Sequence, residues 1–176
     1  MTKIIFSGYG GQGVLVLGEI VATIAMKKGK HVTWMPSYGP EMRGGTANCA
    51  VIISDNIIGS PIVLSDIDIL VAMNQPSVTK FLPLMSKNSL VMANSSLITD
   101  KITDTNVDVL EIDATNIAGQ VGSLRVANMV MLAGFLKKTD LFKLEDIEEV
   151  LKERFGGSRS EQLIPLNLKA IEAGMA

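Results

Sequence analysis

The fold turns on Ile4-Ile5-Phe6-Ser7-Gly8-Tyr9-Gly10-Gly11-Gln12-Gly13-Val14-Leu15-Val16-Leu17, within a chain of 176 residues. Ile4-Ile5-Phe6 is a short apolar run ended by Ser7-Gly8, and it reads as a buried strand. Gly8 to Gly13 then fits the pattern G-x-G-x-x-G. From Val14 to Lys28 the spacing is helical: Val14, Leu17, Val21, Ile24 and Ala25 share one face, and Gly29 stands where a C-terminal cap belongs. His31-Val32-Thr33-Trp34-Met35 follows as a second strand, stopped by Pro36. Strand, glycine turn, helix and strand together make a β-loop-α-β unit.

Further along, Ser37 to Gly45 is a loop stiffened by Pro40 and loosened by Gly39, Gly44 and Gly45. Thr46 to Ser54 is rich in β-formers, and Asp55-Asn56 reads as a two-residue turn into Ile57-Ile58, which predicts an antiparallel hairpin. Ile67 to Met73, Leu90 to Ala93 and Val107 to Ile112 repeat the strand pattern. Asn74-Gln75-Pro76 opens a helix with proline in its first turn. Arg125 to Lys138 is helical and apolar nearly all round, so it is buried, either in the core or against another subunit. Leu144, Ile147, Leu151 and Phe155 form a stripe on a later helix, with acids early and bases late as the helix dipole prefers; Gly156-Gly157 closes it. Ser158 with Glu161 reads as a capping box for a last helix, which Pro165 kinks or delays. Strands alternating with helices predict an α/β, Rossmann-like layered domain spanning 1–176. Its sheet is mainly parallel, with an added antiparallel hairpin and helices on both faces.

Composition narrows the function classes. Lys plus Arg is 16 and Asp plus Glu is 18, a formal net charge of −2, which argues against nucleic-acid binding. With 47% hydrophobic and 19% charged residues the chain is too apolar for disorder. Val14 to Met26, the most apolar helical stretch, carries Glu19 and falls short of the roughly 20 residues of a membrane span. The glycine-rich run begins too early for a secretory signal, so a cytoplasmic, reducing setting is expected. One cysteine, Cys49, and one histidine, His31, exclude a disulfide framework, a cysteine- or histidine-rich metal site and an iron–sulfur cluster held by this chain alone. Cys49 lies in a strand and reads as a small buried hydrophobe, and His31 as structural.

Candidate site residues follow from the open-sheet rule that ligands bind beyond the carboxyl ends of parallel strands. Gly8, Gly10, Gly11, Gln12 and Gly13 let backbone N–H groups approach an anion, with the positive end of the following helix behind them. Asn74 follows another strand and joins this cofactor-binding set; helix capping competes for it and for Asn94. The loop residues Ser37, Tyr38, Gly39, Glu41, Arg43 and Gly44 are candidates for contact with a partner or substrate, Arg43 offering a planar fork for carboxylate or phosphate. A dinucleotide site wants an acid at the end of the second strand, and Thr33-Trp34-Met35-Pro36-Ser37 has none. No Lys-Ser or Lys-Thr follows the glycines either, so this is not a P-loop. Three readings stay open: an anion cradle, a stand-alone flavin- or NAD-linked enzyme, and a turn that only packs helix on strand within an interaction module.

Gly8 to Gly13, Ser37-Tyr38-Gly39-Pro40-Glu41-Met42-Arg43-Gly44-Gly45-Thr46-Ala47 and Asp68-Ile69-Leu70-Val71-Ala72-Met73-Asn74-Gln75-Pro76 together resemble the gamma subunit of 2-oxoacid:ferredoxin oxidoreductases over essentially the whole chain. The 2-oxoglutarate and 2-ketoisovalerate types come nearest and the pyruvate type next. The resemblance implies one subunit of an enzyme that decarboxylates a 2-oxoacid oxidatively, forms an acyl-coenzyme A and reduces ferredoxin. It implies alpha and beta partner subunits, with a delta subunit and a second copy of this chain as further candidates. Thiamine diphosphate, magnesium and iron–sulfur clusters would sit on those partners. Coenzyme A is the one group this chain is a candidate to touch. The resemblance assigns no residue here a catalytic role and none to a metal.

Overall fold

A computed structural model describes residues 1–38, 45–139, 141–157 and 161–176. Strand β1 (Thr2–Tyr9) extends the predicted apolar run Ile4-Ile5-Phe6 at both ends, and helix α1 (Val14–Lys27) follows the glycine loop. Gly29, at φ 75°, ends α1 in the left-handed conformation that glycine adopts without strain. Strand β2 (His31–Tyr38) runs on past Pro36 instead of stopping there. It is an edge strand of the sheet, and an edge tolerates a residue without an N–H.

Strand β3 (Thr46–Ser54) corrects the hairpin. It lies between β2 and β1 and runs antiparallel to both, with Trp34 opposite Val51 and Phe6 opposite Cys49. The hairpin therefore joins β2 to β3. Both edges of β3 are taken, so Ile57-Ile58 has no strand to pair with; those residues form no strand, and Ile57 is 85% exposed.

Beyond β1 the sheet is parallel: β4 (Ile67–Ala72), β5 (Met85–Asn94) and β6 (Val107–Ile112) complete the order β2-β3-β1-β4-β5-β6. Helix α2 (Gln75–Phe81) joins β4 to β5, and helices α3 (Ala114–Val121), α4 (Ala127–Lys138), α5 (Leu144–Phe155) and α6 (Ile164–Met175) follow β6. Pro165 stands in the first turn of α6, so it delays that helix instead of kinking it. The capping role expected of Ser158 lies outside the described residues.

The helices occupy both faces unequally. One face carries α1 and α3 to α6 over a core that includes Phe6, Leu17, Val51, Val71, Met92 and Phe135. The other carries α2 over Ile5, Leu70, Val91 and Phe81. Helix α4, apolar all round, is buried inside the chain: Gly134 faces Ile112 of β6, and Gly174 of α6 packs against Val130 and Ala133. A side chain at Gly174 would meet the Val130 carbonyl at 2.8 Å, which is why the two helices come so close. Helix α5 is tied to α1 by ion pairs from Lys27 to Glu149 (2.7 Å) and Glu153, Lys28 to Asp146 (2.8 Å) and Arg154 to Glu19. Among the described residues no helix is long and apolar enough to cross a membrane.

Candidate functional site

Strands β1 and β4 lie side by side and send their connections to opposite faces, β1 into α1 and β4 into α2. This is the switch point at which an open α/β sheet forms a crevice. The Met73 N–H donates to the Ser7 carbonyl at 2.8 Å, so the two strands stay paired up to the lip.

The glycine loop is held from within. The Tyr9 N–H donates to Gln12 Oε1 (2.6 Å), and Gln12 Nε2 donates to the Met73 carbonyl (3.4 Å). Asn94 Nδ2 donates to the same carbonyl (3.4 Å) and to Thr115 Oγ1 (2.9 Å), joining the ends of β4, β5 and α3. Gly8 has no room for a side chain, since a Cβ would lie 2.6 Å from Gln12 Oε1 and 2.9 Å from Met73 Cβ. Gly13, at φ 73°, caps α1, and a Cβ on it would collide with Asn128 of α4, whose Nδ2 donates to the Gly13 carbonyl (3.3 Å). Gly11, at φ 100°, faces open space.

What remains open is a depression of about 310 Å³, lined among others by Tyr9, Gly11, Val14, Leu15, Val16 and Ala47. Leu17 is the first residue of α1 whose N–H finds a carbonyl, that of Gly13. Among the described residues the N–H groups of Val14, Leu15 and Val16 have no partner, and no acid stands in the first turn. Unpaired N–H groups plus the helix dipole favour a negative group there, while Leu15 and Val16 offer apolar walls. The Gly10 N–H donates to the Gly45 carbonyl (2.9 Å), which brings the glycine loop against the end of the Ser37–Gly45 segment.

The other sequence candidates divide. Asn74 caps α2: its Oδ1 accepts from the Ser77 N–H (3.0 Å) and hydroxyl (2.6 Å), and it is 2% exposed. Ser37 is exposed near the end of β2, paired with Asn48, and Tyr38 ends that strand. Gly39, Glu41, Arg43 and Gly44 lie outside the described residues. Cys49 is fully buried beneath Gly18 of α1; burial pushes its thiol up to about 12, against hydrogen bonds from Trp34 and Gly18 that lower it. A thiol in that setting is no nucleophile. His31 is exposed at the start of β2. Among the described residues no group of three or more His, Cys, Asp or Glu is placed to hold a metal ion. Sequence reasoning missed Asn128, although it is the single polar side chain between Val126 and Leu136.

A dinucleotide fold needs its second strand beside its first, so that an acid at the end of one reaches a ribose held by the other. Here β3 separates them. Position, as well as residue type, therefore argues against ordinary NAD binding.

The family model for pyruvate ferredoxin/flavodoxin oxidoreductase matches residues 3–176. The ketoisovalerate oxidoreductase subunit VorA of Methanothermobacter thermautotrophicus is 38% identical over 174 residues, covering 98% of this chain. The chain spans only 35% of that relative's length. The 2-oxoglutarate synthase subunit KorC of Methanocaldococcus jannaschii is 33% identical over 175 residues, covering 98% of this chain and 91% of that protein. Among solved structures, the keto/oxoacid ferredoxin oxidoreductase gamma subunit from Geobacter sulfurreducens PCA superposes with a TM-score of 0.82 at 32% identity, over 99% of this chain and 96% of that one. The loop, the switch-point crevice and the inserted strand thus sit within a shared architecture, and the chain belongs to the pyruvate ferredoxin/flavodoxin oxidoreductase family.

Proposed function

We propose that this chain is the gamma subunit of a multi-subunit 2-oxoacid:ferredoxin oxidoreductase, an enzyme that converts a 2-oxoacid and coenzyme A to acyl-coenzyme A and CO2 while reducing ferredoxin. The observation that carries this reading is the near end-to-end match to the KorC subunit, 98% of this chain on 91% of that one. The 176 residues act as one domain, in the cytoplasm, beside alpha and beta subunits, and a delta subunit where the enzyme has one.

The residues of this chain set the division of labour. The single cysteine is sealed under α1, so clusters belong to partner chains. Thiamine diphosphate and magnesium are assigned to the partner chains as well. The glycine loop suits a different group, the pyrophosphate of coenzyme A. Gly11 and the free N–H groups of α1 supply donors, and Leu15 and Val16 flank the apolar arm. This reading gives none of the described side chains a part in the chemistry on the 2-oxoacid. The chain holds and orients coenzyme A, and its Ser37–Gly45 segment meets the catalytic subunits.

A gentle native pull-down, read by mass spectrometry and visible absorbance, tests the assignment. Thiamine- and cluster-bearing partners with a brown spectrum, and 2-oxoacid-dependent reduction of a viologen dye, are the expected result. A colourless protein without partners that binds a nucleotide tightly would refute it. In the assembled enzyme Arg43→Ala is expected to weaken assembly or turnover more than it lowers the melting temperature; a large stability loss with normal assembly would contradict that role.

A further inference from the structure

The turn Tyr9-Gly10-Gly11-Gln12 is closed twice by one residue. The Gln12 N–H donates to the Tyr9 carbonyl (3.1 Å), and Gln12 Oε1 accepts the Tyr9 N–H in return (2.6 Å). Gly11 supplies the positive φ that a type II turn requires at its third place. The course of the turn therefore depends on where the Gln12 side-chain amide stands. That amide has one further tie, from Nε2 to the Met73 carbonyl (3.4 Å), and it shares this oxygen with Asn94 Nδ2 (3.4 Å).

Asn94 is fully buried at the end of β5, and its whole amide is committed. Besides the Met73 carbonyl, Nδ2 donates to Thr115 Oγ1 (2.9 Å), and Oδ1 accepts the Thr115 N–H (3.3 Å). Thr115 is anchored in turn. Its N–H also donates to Ser96 Oγ (3.1 Å), so α3 takes its cap from the segment after β5, while the side chain of its own N-cap residue, Asp113, makes no capping bond. A run of hydrogen bonds thus leads from the head of α3 through Asn94, the Met73 carbonyl and Gln12 to the Tyr9 N–H. Packing alone would be served by an apolar residue, as it is at Met92 and Ala93 just before. A buried and fully paired amide instead fixes one geometry.

We propose that Asn94 is a positioning residue for the glycine loop, acting through the Met73 carbonyl and Gln12. Thr115 orients the Asn94 amide, the amide takes one side of the Met73 oxygen, and Gln12 is left the other. The loop then meets its ligand in a single conformation. This rests on the reading that coenzyme A lies on the loop; Asn94 itself is sealed from any ligand.

The test uses the full chain and the pair Thr115→Val and Thr115→Ser. Valine keeps the shape but orphans an Asn94 N–H, so the amide must turn; serine restores the hydroxyl. Amide hydrogen exchange, read residue by residue by NMR, is expected to quicken about tenfold at Tyr9 in Thr115→Val and to stay native elsewhere in β1 and β4. Coenzyme A affinity, read by calorimetry, should fall about fivefold in the same variant. Thr115→Ser should restore both. Asn94→Ala should match Thr115→Val, and adding Thr115→Val to it should change nothing more; where Asn94→Ala fails to fold, the Thr115 pair decides. Exchange that quickens throughout β1 and β4 would make the run merely structural and overturn the proposal. So would an unchanged Tyr9, or unchanged affinity in a chain that binds coenzyme A. Rescued exchange at Tyr9 in a chain that binds no coenzyme A would keep the positioning of the loop and overturn the coenzyme A reading.

Discussion

Gly11 and Gly13 both adopt left-handed backbone, at φ 100° and 73°, but their surroundings differ, and alanine at each should separate strain from collision. At Gly11 an added methyl enters open space, so Gly11→Ala carries only the conformational cost, about 1–2 kcal/mol. At Gly13 the same cost is joined by a clash with Asn128, a buried side chain at the head of α4, which adds about 1–3 kcal/mol of overpacking. Gly13→Ala should therefore lose about 2–5 kcal/mol, which at roughly 2–4 °C per kcal/mol for a chain of this size is a clear gap from Gly11→Ala in a thermal melt. Asn128→Ala removes the obstacle and the 3.3 Å bond to the Gly13 carbonyl. The Gly13→Ala/Asn128→Ala pair should then fall short of the sum of its parts by at least about 1 kcal/mol in a urea-denaturation cycle. Equal losses at Gly11 and Gly13, or simple additivity in the cycle, would refute the claim that α4 braces the loop.

Other perturbations read different parts of the site. Gln12→Ala removes the acceptor of the Tyr9 N–H and the donor to Met73, and should cost about 1–2 kcal/mol by urea denaturation; an unchanged midpoint would mean the loop holds without that tie. Asn74→Ala should lower stability by about 1 kcal/mol through loss of the α2 cap while leaving coenzyme A affinity alone, and a loss of affinity would return Asn74 to the ligand site. Cys49 has its thiol raised from 9.0 to about 12, so above pH 9 the unfolded chain loses a proton the folded chain keeps. Its contribution is complete below pH 9 and falls as pH rises towards 12, by up to about 4 kcal/mol. Cys49→Ala should flatten alkaline denaturation, and an unaltered alkaline limb would show that another group controls it.

Much of this architecture is legible in residue order because short-range physics governs it. The run Ile4-Ile5-Phe6, the glycines after it and the apolar face of α1 each obey a local rule, and the structure follows them. The errors fall where a partner distant in sequence decides. Ile57-Ile58 looks like half of a hairpin, but β1 had already claimed the edge of β3 it needed. Helix α3 escapes notice because Thr115, Asn116 and Gly119 are poor helix formers, and its burial rests on Ala114 and Ala118, small residues that carry little hydrophobic signal. Within the site, the motif marks the loop but does not sort its members. Gly8, Gln12 and Gly13 are held by the protein's own packing, and only contacts such as those with Met73 and Asn128 distinguish them from Gly11, which faces open space.

The insertion of β3 also governs the order in which the sheet can assemble. Tyr9 finds its neighbour in Thr46 and Thr2 in Ile53, so β1 gains no hydrogen-bonded neighbour from the α1 and β2 that follow it directly. Its other edge waits still longer, for β4 at residues 67–72. One of the two central strands is thus the first made yet stays unpaired until β3 and then β4 arrive, and its pairing must close loops of dozens of residues before any contact rewards the entropy lost. Until then Ile4, Ile5 and Phe6 are an exposed apolar strand in search of an edge, the state in which a chain is most open to pairing with the wrong partner. Gln12 and Asn128, which lock the loop at the end of β1 only when β4 and α4 have arrived, mark the moment that vulnerability ends.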